Sequence, residues 1–162
     1  MKARLHRWFV RPIVQQLTQG VTPPKIARAI SWGVTLGIFP IIGSNTLLTL
    51  LVGVPLKLNQ PVLQAFKTVS YPLQWSLLLI FYRAGEWLFN APHVSIHIPT
   101  MMKRFFDEPG PFFRDYGMTA LYGIAVWCLI APILLRALSW ITEPLIERLA
   151  RLRRTSPVTS IS

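Results

Sequence analysis

Acidic residues are scarce in this chain, with six Asp and Glu against seventeen Lys and Arg among 162 residues. So few carboxylates leave almost no ligands for metal-dependent hydrolysis, and no acidic dyad, glycine-rich phosphate loop or nucleophile elbow occurs. Cys128 is the single cysteine, which excludes a disulfide framework and a thiolate metal site. Charge is absent over long stretches: no ionisable Lys, Arg, Asp or Glu occupies positions 29–56 or 117–135. Each stretch meets the requirement of roughly 20 apolar residues for a bilayer crossing. A content of 52% hydrophobic and 14% charged residues is far from ordinary soluble usage and reads as one integral membrane domain.

The net charge of +11 does not describe a nucleic-acid face, because the bases sit at the two ends of the chain. Residues 1–28 carry Lys2, Arg4, Arg7, Arg11, Lys25 and Arg28 without an acid. From Arg136 onward, five arginines face only Glu143 and Glu147. Between them, residues 91–116 are neutral, with Lys103, Arg104 and Arg114 matched by Asp107, Glu108 and Asp115. The positive-inside rule then puts both termini in the cytoplasm and residues 91–116 outside. No cleaved signal peptide is expected, since His6 and Arg7 interrupt the first apolar stretch.

The hydrophobic segment 26–57 is broken at its centre by Phe39-Pro40-Ile41-Ile42-Gly43-Ser44-Asn45-Thr46. Irregular backbone at membrane depth is tolerated only where protein buries it or where it lines a cavity. A continuous crossing here would carry the arginine-rich C-terminus outside, against the charge pattern. A segment that enters, turns at Pro40–Asn45 and returns keeps both basic ends inside. The two arms, 26–39 and 46–57, are each about 20 Å long at the helical rise, short of a ~30 Å core. The expected fold is thus an all-α integral membrane protein: a re-entrant helical hairpin with broken and continuous transmembrane helices, and amphipathic interfacial helices at the ends. A kinked single span is the alternative.

Along the chain the expected order is an interfacial helix over 1–20, the re-entrant hairpin over 26–57 and a broken transmembrane segment over 62–89. An outer loop over 91–116, a transmembrane helix over 117–141, a basic tail helix over 143–154 and a disordered tail over 155–162 follow. In the loop, residues 101–106 are amphipathic enough to rest on the outer interface, and Trp87, Tyr116, Tyr122 and Trp140 suit an aromatic belt. The second break, Ser70-Tyr71-Pro72, aligns with the first at an offset of 32 residues, a weak sign of duplication.

Polar residues at these breaks are the candidate site. Ser44 or Asn45 suits the N-cap of the second half-helix and Pro72 the first turn after Tyr71, so two helix N-termini would offer free amides to an anion. Lys67 and Arg83 add full positive charge inside the membrane, where an ionisable group is a functional candidate by default. The anion-binding set is Pro40, Gly43, Ser44, Asn45, Lys67, Tyr71 and Arg83. Arg83 has a second reading as the ion-pair partner of Glu86 three residues on, or as a side chain reaching the interface. His93 and His97 are flanked by prolines and read as extended, so no metal site is expected there. No catalytic residues and no cofactor are expected.

Thr22-Pro23-Pro24-Lys25-Ile26-Ala27, the run Gly33 to Gly43 with Phe39-Pro40 and Gly43, then Leu58-Asn59-Gln60-Pro61 and Tyr71-Pro72 together resemble the bacterial membrane family of domain of unknown function 2062. The resemblance covers residues 22–89. The chain departs from the family pattern at Ser44-Asn45, where Gln or a similar residue usually follows the glycine, and at Tyr71-Pro72, where Asn-Pro is usual. The resemblance implies the bacterial inner membrane and an association with envelope polysaccharide and lipid functions; it implies no reaction.

These readings converge on a transporter or scramblase-like protein for an anionic lipid, such as a phospholipid or polyprenyl phosphate, with the phosphate at the Pro40–Asn45 break. With few crossings per chain, it is expected to form a homo-oligomer or to join an envelope complex. The alternative is a non-catalytic scaffold or accessory subunit, with Gly33-x-x-x-Gly37 allowing close helix approach.

Overall fold

The computed structural model describes residues 21–41, 43–94 and 97–155. The expected interfacial helix over 1–20 lies outside them, as does the expected disordered tail beyond Thr155. The regular elements among the described residues are all helices, without a strand. In chain order the helices are α1 (Pro23–Gly37), α2 (Asn45–Gly53), α3 (Gln60–Val69), α4 (Tyr71–Leu88), α5 (Ile98–Asp107) and α6 (Pro109–Thr155).

Helix α1 starts where proline favours a first turn, with Thr22 at the N-cap position and Pro23-Pro24 following. Thr22 serves through its backbone, its carbonyl accepting from Lys25 N at 3.0 Å; its side chain makes no capping bond. Helix α3 starts on a true side-chain cap, Asn59 Oδ1 accepting from Val62 N at 3.1 Å, with Pro61 in the first turn. Gly43 turns the chain between α1 and α2 at φ +89°, a conformation that glycine adopts without steric cost.

Small residues fix the packing. An added Cβ on Gly33 would lie 2.7 Å from the Leu63 carbonyl oxygen, and one on Gly37 2.7 Å from Ser70 Cβ. The advance from Gly33 opposite Leu63 to Gly37 opposite Ser70 makes α1 and α3 parallel. Helix α2 runs the other way: Thr46 meets Lys67, Thr49 meets Gln64 and Gly53 meets Leu63 and Gln60. Residues 23 and 57 consequently lie toward the same end of the molecule.

Ile26, Ala27, Ala29 and Ile30 of α1 meet Val62 and Phe66 of α3 and Ile146 of α6 in the main core. A second cluster joins Ile38, Phe81 of α4 and Val126 of α6. Helix α6 backs both: Thr142 and Trp127 reach α1, while Gly123 and Tyr122 meet Tyr82 and Gly85 of α4.

Two boundaries differ from expectation. The predicted helices over 117–141 and 143–154 are one helix that also takes in residues 109–116 of the expected outer loop, with Pro132 and Pro144 inside it. Prolines interrupt a lone helix, but neighbouring helices tolerate them at membrane depth. The break at 70–72 is narrower than the pattern implied. Ser70 retains right-handed helical backbone (φ −78°, ψ −6°), its amide donates to Phe66 O and its carbonyl accepts from Gln74 N. Pro72 perturbs the ladder by its ring and missing N–H, so α3 and α4 meet at a joint of one residue.

Among the described residues, one helix, Pro109–Leu152, is long and apolar enough to cross a membrane. Its exposed side chains include Leu121, Leu129, Ile133 and Trp140, and α4 exposes Trp75, Ile80 and Trp87.

Candidate functional site

The break between α1 and α2 is closed by its own residues and by side chains of α4. A helix that stops leaves its last carbonyls without intrahelical donors. Asn45 Nδ2 donates to Gly37 O at 2.9 Å, Gln74 Nε2 to Phe39 O at 2.7 Å, Tyr82 OH to Pro40 O at 2.7 Å and Ser44 Oγ to Ile41 O at 3.0 Å. One turn lower in α1, Trp127 Nε1 of α6 donates to Thr35 O at 3.2 Å. Gln74 also approaches Asn45 Oδ1 at 3.4 Å, so the two buried amides form one chain of contacts from α4 to α2.

Ser44 occupies the N-cap position of α2 but makes no bond to its first-turn amides. Its hydroxyl turns back to Ile41, and Asn45 turns back to Gly37. The capping expected of these two residues therefore runs toward α1, and no side chain among the described residues caps α2.

Lys67 lies beside that end of α2. It is 5% exposed, and its ammonium donates to Thr46 Oγ1 at 2.9 Å. No carboxylate pairs with Lys67 among the described residues. Burying an ammonium without a counter-charge is far more costly than burying a neutral polar group. Thr46 and Gly43 are exposed, so this charge sits just beneath an open rim.

Of the residues named from sequence, Pro40, Gly43, Ser44, Asn45 and Lys67 gather at the break. Tyr71 opens α4 with its side chain 37% exposed and contributes no hydrogen bond to that cluster. Arg83 does not join it. Its guanidinium donates to Glu86 Oε2 at 2.6 Å, the ion pair that the three-residue spacing allowed. Glu86, only 1% exposed, also contacts His93 Nδ1 at 2.8 Å and accepts from Val94 N at 3.1 Å. These groups tie the loop after α4 to the helix end.

Gln74, Tyr82 and Trp127 were missed from sequence, and Thr46, recognised as part of the break, was left out of the anion-binding set. Gln74 had a detectable signal, being an amide two residues past Pro72 in an apolar stretch. Tyr82 and Trp127 gave none, since their donors are useful only once α4 and α6 are placed against residues 35–40.

A model of the family described as uncharacterized proteins conserved in bacteria, domain of unknown function 2062, matches residues 6–154. No curated protein and no solved structure matches the chain.

Proposed function

We propose a function for a chain that belongs to the bacterial family of domain of unknown function 2062: it binds the phosphate of an anionic lipid at the α1–α2 break and moves that lipid across the inner membrane without catalysing a reaction. The observation that carries this reading is Lys67, a buried cation hydrogen-bonded to Thr46 and unpaired by any carboxylate among the described residues. The uncapped first turn of α2 beside it favours negative charge through its free amides and its dipole. Phosphate at the exposed rim would satisfy both, with acyl chains remaining in lipid.

The topology belonging to this reading is a re-entrant α1–α2 hairpin, a crossing by α3–α4 and a return by α6, with both termini cytoplasmic. Helices α1 and α2, of 15 and nine residues, are about 22 and 14 Å long at the helical rise and run in opposite directions. Their basic flanks support the orientation. In a Cys128→Ser background, cysteines at Lys57 and Thr100, both exposed, are expected to label from opposite sides of sealed vesicles. Labelling from one side would overturn this topology.

A pathway between so few helices is best completed by further copies of the chain or by an envelope-complex partner. The scaffold reading is favoured by one specific observation: the carbonyls of Gly37, Phe39, Pro40 and Ile41 are engaged by side chains, so most of the break's polar residues have a structural task. Gly33 and Gly37 no longer argue for a partner, because α3 already covers them.

Liposomes containing a labelled phosphatidylglycerol separate the two readings. Wild-type protein is expected to accelerate flipping, and Lys67→Met to return it to the rate of empty liposomes while the protein remains folded. Wild-type flipping no faster than in empty liposomes, or undiminished in Lys67→Met, sinks transport at this site.

A further inference from the structure

A cavity lies away from the break, under the elbow between α5 and α6. It measures about 850 Å³ and is bounded by the loop residues 91–94, by α5 and by the first turns of α6. Arg104 and Arg114 line it together with His93, against a single acid, Asp115. Arg104 donates to Asp115 at 3.2 Å, so that acid is already engaged, while Arg114 makes no ion pair among the described residues. The charge facing the cavity is therefore positive. Arginine forks match phosphate oxygens in pairs, which point charges do not.

The remaining walls are mixed rather than polar, with Pro92, Val94, Met118 and Tyr122 among them. The volume lies within the range of about 300–1,000 Å³ typical of small-molecule sites and exceeds what a bare phosphate needs. Two features hold the walls in place. The buried Glu86 carboxylate anchors the loop through His93 and Val94 N. At the elbow, Phe105 packs on Phe112 and Phe113 with ring centroids 5.3 and 6.0 Å apart, and Phe112 meets Tyr116 at 4.6 Å. Exposed Met102, Phe106 and Phe113 surround the same elbow, as an element resting in a lipid interface would have them.

We infer that this cavity is a second binding site, for a phosphate monoester carried on an amphiphile, with Arg104 and Arg114 on the phosphate and Met118 and Tyr122 against the apolar part. It uses none of the residues at the break. The site therefore stands or falls separately from the function proposed above.

The test uses the full-length Lys67→Met protein in detergent micelles, so that the break contributes no cationic side chain. Titration calorimetry with dihexanoyl phosphatidic acid is expected to register binding, and Arg104→Gln combined with Arg114→Gln to weaken it by about a hundredfold, since each charge-assisted bond contributes roughly a factor of ten. Both arginines are exposed, and the thermal midpoint is expected to stay unchanged. Glycerol 3-phosphate tests the source of the phosphate: much weaker binding than the short-chain lipid supports a phosphate carried on an amphiphile, and equal binding overturns it in favour of a soluble phosphoester. Absence of binding by both ligands, or binding undiminished by the two arginine substitutions, overturns the site.

Discussion

Replacing Gly85 by valine is expected to separate α4 from α6 and to cost about 3 kcal/mol or more, at the upper end of what overpacking usually costs. A Cβ built on Gly85 lies 2.6 Å from the carbonyl carbon and 2.7 Å from the carbonyl oxygen of Tyr122. Both atoms are backbone in the middle of a long helix, so no side-chain rotation relieves the contact. Association of helices within lipid depends on such close approach, because lipid tails offer an apolar surface as good as a neighbouring helix. Separation would also loosen the Phe89–Tyr122 stack, whose ring centroids are 4.9 Å apart. Thermal unfolding in detergent measures the loss. Gly117→Ala is the control of opposite sign: an added Cβ there meets nothing within 4 Å, and alanine in a helix gains up to about 1 kcal/mol over glycine. A Gly85→Val midpoint close to wild type would refute the packing of α4 on α6.

The second large effect is expected at the paired amides. Asn45→Leu leaves the Gly37 carbonyl without its donor, and Gln74→Leu does the same to Phe39. Asn45 and Gln74 are 1% and 2% exposed, so water cannot readily replace either donor. An unsatisfied buried acceptor costs about 1–3 kcal/mol, and interhelical hydrogen bonds in membranes fall toward the lower part of that range. Each substitution is expected to destabilise by about 1–2 kcal/mol. Because Gln74 Nε2 also approaches Asn45 Oδ1, the double variant should lose less than the sum of the singles. Ser76→Ala, whose hydroxyl bonds Pro72 O in an exposed position, is the neutral comparison. Strict additivity of the two leucine variants would show that the amides act independently.

The same pair bears on function. If both variants unfold more easily yet flip lipid at the wild-type rate below their midpoints, the break's amides support the fold and Lys67 alone carries the ligand. If flipping falls before stability does, the amides also shape the binding rim.

Particular residues show where sequence reasoning sufficed. Pro40 and Gly43 announced a break because a ring without an amide hydrogen and a residue free to take positive φ are local facts of covalent chemistry. Pro23 marked a helix start for the same reason, whereas Asn59 and Pro61 suggest only a connecting turn and prove to open α3. Arg83 and Glu86 could be paired from spacing alone, since residues three apart share a helix face. Gly33 and Gly37 signalled close approach without saying to what. Their partner proved to be α3 of the same chain, a choice that depends on the path between Gly43 and Gln60.

The sequence by itself determined that the regular elements are helices, that the chain holds a segment apolar enough to cross a membrane, and that its helices are interrupted around Pro40–Gly43 and Ser70–Pro72. These follow from composition, from local backbone chemistry and from the length of uncharged stretches. Only the tertiary structure decided that the break's carbonyls are served by Asn45, Gln74 and Tyr82, that Lys67 meets Thr46, and that Arg104 and Arg114 share a cavity. Those relations join residues 8 to 42 positions apart at the break. Hydrogen bonds reach only about 3 Å, so which donor meets which acceptor is set by the crossing of helices and leaves no periodic trace in the chain.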